Sequence, residues 1–60
     1  MVKIGDKVKW NDPAINEYLE EERDEVLNRV FDVVDINGEI ILISDGFSEA
    51  EVTENELIKC

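Results

Sequence analysis

Apolar and polar residues alternate at the start of the chain: Val2, Ile4, Val8 and Trp10 stand on even positions, Lys3, Lys7 and Lys9 on odd ones. A period of two predicts a strand with one buried face. Gly5-Asp6 interrupts it, because glycine weakens a strand interior, so the regular strand is predicted over 7–11 and is entered through a turn. Asn11-Asp12-Pro13 then marks a helix start. Asp12 can accept from the free amides of a first turn, and Pro13 has the fixed φ that suits its first position. Ile15, Tyr18 and Leu19 fall on one stripe, with Glu17, Glu20 and Glu21 on the other side. This helix stops near Glu22 or runs through Val26 and Leu27 to Asn28, the longer form supported by Glu25 and Arg29 at i, i+4.

The strongest local signal is Asn37-Gly38, flanked by Arg29–Ile36 and by Glu39–Ser44. Asn-Gly between β-branched runs is the preferred two-residue type I′ turn, since both central residues need positive φ. That turn predicts Val34 opposite Ile41, Val33 opposite Leu42, Asp32 opposite Ile43 and Phe31 opposite Ser44. One face then carries Val30, Val34, Ile36, Ile41 and Ile43, the other Phe31, Val33, Ile40 and Leu42. A hairpin apolar on both faces must be covered on both. The stripe Ile15, Tyr18 and Leu19 is the expected cover on one side, and a dimer contact is the other way to bury it.

Asp45-Gly46 supplies a second turn, and Phe47–Val52 reads as a strand in which Ala50 and Val52 alternate with Glu49 and Glu51. Thr53-Glu54-Asn55-Glu56 has capping-box spacing, but only Leu57-Ile58 follow, which leaves room for one 3₁₀ turn and a last strand over 57–59.

With sixteen acids, six bases and no histidine in 60 residues, the chain has a formal charge of −10. Binding to nucleic-acid phosphates or to anionic lipid needs a basic face, so neither is expected as a direct partner. No apolar run approaches the roughly 20 residues of a membrane helix, and there is no apolar signal core, so a cytoplasmic protein is expected. Cys60 is the lone cysteine, which leaves no internal disulfide and no thiolate cage for zinc. Ser44, Ser48 and Thr53 have no histidine to activate them, and solvated carboxylates with ordinary pKa values are poor acid–base catalysts. A non-enzymatic protein without a cofactor or metal is expected. Asp35–Glu39 lacks the twelve-residue helical frame of a calcium loop and reads as the hairpin turn.

A strand entered through Gly5-Asp6-Lys7-Val8, a polar excursion, three strands joined by tight turns, then Val52, Glu56 and Leu57 around a helical turn: this layout resembles the SH3-like small barrels. The resemblance covers the whole chain. It implies one domain over 1–60, mostly β, a five-stranded SH3-like barrel with one short helix inserted after the first strand and a 3₁₀ turn before the last strand. No binding residues come with it. Val8-Lys9-Trp10-Asn11-Asp12 stands where polyproline-binding SH3 domains carry an aromatic motif, and the excursion is acidic where the RNA-contacting relatives are basic.

The candidate site therefore comes from the residues themselves. Glu20, Glu21 and Glu22, extended by Glu17, Asp24 and Glu25, are the densest charge cluster, which is either a solvated face or a docking face for a basic protein partner. Trp10, Tyr18 and Phe47 are the aromatics expected to be partly exposed. Trp10 and Tyr18 are the first choices for a groove between strand and helix, although Trp10 is also in phase with Val8 and so with the core. The expected role is a small acidic protein-interaction or accessory module, a monomer or weak homodimer. The alternative is an inhibitor that mimics nucleic acid in the basic site of a DNA- or RNA-handling protein, which would need its carboxylates spaced along one stripe.

Overall fold

A computed structural model describes residues 1–60. Five strands, β1 (Lys7–Trp10), β2 (Val30–Asn37), β3 (Ile40–Ser44), β4 (Glu49–Val52) and β5 (Leu57–Lys59), form one antiparallel sheet in the order β4-β3-β2-β1-β5. The fold is mostly β, and the sheet does not close: β4 and β5 are free edges, so the expected barrel is replaced by an open sheet.

The turn between β2 and β3 lies one residue later than Asn37-Gly38. Asn37 pairs with Ile40, so Gly38 and Glu39 are the two turn residues. Gly38 has φ +63°, and no non-glycine residue has positive φ. Glycine at the first central position is the pattern of a type II′ turn, which frees the second position for an ordinary residue. Further along, Val33 pairs with Ile43 but Asp35 with Leu42, which leaves Val34 as the extra residue of a β-bulge. A bulge moves every later side chain to the other face. Phe31 and Val33 therefore join Ile41 and Ile43 on one face, contrary to the expected sorting. The predicted Val34–Ile41 and Val33–Leu42 pairs do not form.

That shared face is the core: Val2, Val8, Phe31, Val33, Ile41, Ile43 and Val52 are buried, and Trp10, Ala50 and Leu57 pack against them. The bulge concentrates on one side what a regular hairpin would divide between two. On the outer side Val30, Val34, Ile40 and Ile58 stay exposed.

The excursion between β1 and β2 also differs from its prediction. Asp12 Oδ1 does accept from the Ala14 amide at 2.9 Å, but the turn it starts is a 3₁₀ turn over Ile15–Glu17. Tyr18 and Leu19 are extended, with ψ 154° and 146°, and the α-helix, α1, occupies Glu20–Asn28. Leu19 is 62% exposed and α1 contributes no buried residue, so the helix is not the cover of the hairpin. A second 3₁₀ turn spans Glu54–Glu56 before β5, as expected. Thr53 makes no side-chain cap there: its hydroxyl donates to Asn55 Oδ1, and the Glu56 carboxylate accepts from Trp10 rather than from the Thr53 amide.

Candidate functional site

Trp10 stands at the end of β1, its ring edge-on to Phe31 with 6.2 Å between centroids, and its indole N–H donates to Glu56 Oε2 at 3.1 Å. Both its apolar body and its polar tip have internal partners, the ordinary requirement for a half-buried tryptophan. Tyr18 is likewise half-buried, and its hydroxyl donates to Asp12 Oδ2 at 2.7 Å. That bond to a carboxylate, helped by desolvation, raises the phenol's pKa above its usual 10.0. Asp12 is the one buried charged residue, and both of its oxygens are engaged.

Arg23 reaches back from α1 to the carbonyls of Tyr18 (3.2 Å, from Nε) and Asn16 (3.3 Å, from Nη2), tying the helix to the 3₁₀ turn. At the other end Arg29 bridges Glu25 (3.4 Å) and Asp45 (3.3 Å). The remaining ion pairs join Lys7 to Asp32, Lys59 to Asp6 and the Met1 amino group to Glu54. Glu17, Glu20, Glu21, Glu22 and Asp24 are all exposed and take part in none of them. Glu20, Glu21 and Glu22 form the first turn of α1, where unpaired amides favour negative charge.

The predicted set thus separates into two kinds of residue. Glu17, Glu20, Glu21 and Glu22 are all exposed, and of them Glu20 and Glu21 meet on one shallow surface with Leu19 and Asp24; Trp10 and Tyr18 lie in the packed and hydrogen-bonded part of the molecule, and no surface cleft is lined by either. Phe47 is the exposed aromatic, at 99%. It sits on a turn organised by Asp45, whose Oδ1 accepts from the Phe47 and Ser48 amides at 2.8 Å each. Those amides, with the Arg29 guanidinium beside them, hold the Asp45 carboxyl below the usual aspartate range. Asp6 is lowered in the same way, first by the Lys3 amide and then by Lys59. The Asp-Gly dipeptide signalled the turn at 45–46, and Phe47, one of the aromatics expected to be partly exposed, faces water completely.

No three carboxylate or thiol side chains converge where a metal ion could sit, and no helix is long and apolar enough to cross a membrane. No protein-family model, curated protein or solved structure matches the chain.

Proposed function

We propose that the protein is a small, non-enzymatic acidic interaction module of the cytoplasm that docks a basic protein partner through α1. The observation that carries this reading is that α1 presents unpaired carboxylates yet has no buried residue, Arg23 and Val26 being only half-buried. A surface helix usually exists to cover a core with its apolar stripe. A nine-residue helix without such packing is marginal in water, and here it is held by Arg23, Arg29 and the charge of its own first turn. An element that adds so little to the core has its use in what it presents.

The open sheet, on this reading, is an opened SH3-like barrel; its strand order and the 3₁₀ turn before β5 support that description. The test is kinetic. Against a partner recovered from the native host, Glu20→Gln/Glu21→Gln/Glu22→Gln is expected to slow association more than it speeds dissociation, with a rate that falls steeply as salt rises. An association rate at low salt equal to that of the unmodified protein would remove α1 from the interaction.

A further inference from the structure

The apolar face of the sheet runs out at the tip of the β2–β3 hairpin. The Gly38-Glu39 turn sets Ile36 opposite Ile41, and the β3–β4 ladder sets Ile41 opposite Val52. β1 pairs only with residues 30–32 and never reaches this row. Ile36 is accordingly left 36% exposed while Ile41 beneath it is buried. The uncovered row belongs to a cleft lined by Met1, Val2, Ile36 and Ile41, by Glu39 of the hairpin turn, and by Glu54 and Asn55 of the second 3₁₀ turn. Its charged side chains are both carboxylates. Glu54 lies 3.5 Å from the Met1 amino group, in a contact exposed on both sides.

We propose that this cleft binds an extended peptide segment that alternates aliphatic and basic residues, an aliphatic side chain lying on Ile36 and Ile41 and a lysine or arginine reaching Glu39 and Glu54. Charge decides the occupant. A second copy of a chain with net charge −10 is repelled, as is an acidic segment. A purely polar basic segment leaves the apolar floor uncovered, and small apolar pockets closed by a few polar groups are the usual form of a binding site. The site lies apart from α1 and does not depend on it.

The test titrates the ¹⁵N-labelled full chain with acetyl-Lys-Leu-Lys-Leu-Lys-amide at low salt and follows backbone amide shifts. The expected result is a cluster of shifts at Ile36, Gly38, Glu39, Ile41 and Glu54–Asn55. Binding should weaken roughly fivefold in Glu39→Gln/Glu54→Gln, the worth of two exposed ion pairs. The triple glutamine variant of α1 should bind this peptide as the unmodified protein does, which separates failure of the cleft from failure of the helix. Three results would each overturn the proposal: shifts confined to residues 20–24, equal binding of the matching lysine–serine peptide, or no saturable shift with either peptide. Glutamine at two exposed positions leaves the core untouched, so a loss of folding does not obscure the reading.

Discussion

At Asp12 a carboxylate has been taken out of water and given two donors, the Ala14 amide and the Tyr18 hydroxyl. Leaving those donors unpaired is costly, so Asp12→Ala is expected to destabilise the protein by about 1–3 kcal/mol, measured by urea unfolding. The same change should return the Tyr18 pKa toward 10.0, and because Tyr18 is the only tyrosine, phenolate absorbance reports it directly. A phenol whose pKa is raised on folding adds stability that is complete below pH 10.0 and lost as pH rises through the folded value. Asp45 has the opposite sign. Its depressed carboxyl pKa adds stability above pH 3.8 that disappears as pH falls through the folded value. Asp45→Asn should therefore melt below the unmodified protein at neutral pH, with the gap closing in acid; a gap independent of pH would mean that the amides of Phe47 and Ser48 are not what Asp45 holds.

Among the elements, β2 and α1 are where sequence pattern and structure part. Strand positions, the turns at Gly5, Gly38 and Gly46 and the last 3₁₀ turn were legible, because alternation and glycine act locally. The bulge was not. Val34 carries no chemical mark of an extra residue; what selects it is the demand that Phe31 and Val33 share a face with Ile41 and Ile43, a relation across strands that period two does not reveal. The helix start was misplaced for a related reason. Asp12 and Pro13 do begin a turn, but Tyr18 is drawn to Asp12 and held extended, so the stripe Ile15, Tyr18 and Leu19 belongs to no single helix. The acids of the candidate site were legible because they answer only to solvent. The packing of Trp10 followed from its phase with Val8, but its bond to Glu56 was not legible, since Glu56 lies far along the chain. Leu19→Ala should change stability by less than about 0.5 kcal/mol, as for any exposed position. Ile43→Ala, at a fully buried site of β3, should cost about 2–5 kcal/mol. Thermal melts of the two variants test the placement of the core on the sheet rather than under the helix.

For the whole molecule, the excess of ten negative charges works against the compact state. Screening shortens the range of that repulsion to about 10 Å near 0.1 M salt. Sodium chloride is accordingly expected to raise Tm even though it weakens the few ion pairs, and a Tm that falls with salt would mean that Asp6–Lys59, Lys7–Asp32 and Arg29–Asp45 outweigh the general repulsion.

The pairing of Val8 with Lys59 joins β1 to β5 across nearly the whole chain. Loops of that length close late, because their entropy is lost before distant contacts reward it. The β2–β3–β4 meander needs only short turns and already brings together Phe31, Val33, Ile41, Ile43 and Val52, so it has the means to form a nucleus before either end of the chain is committed. Conservative truncation within it, such as Ile43→Val, should slow refolding, whereas Leu57→Ala in the closing ladder, where Leu57 packs against the core, should mainly hasten unfolding. The strand that completes the sheet thereby becomes a latch, setting how long the folded state lasts more than how quickly it is reached.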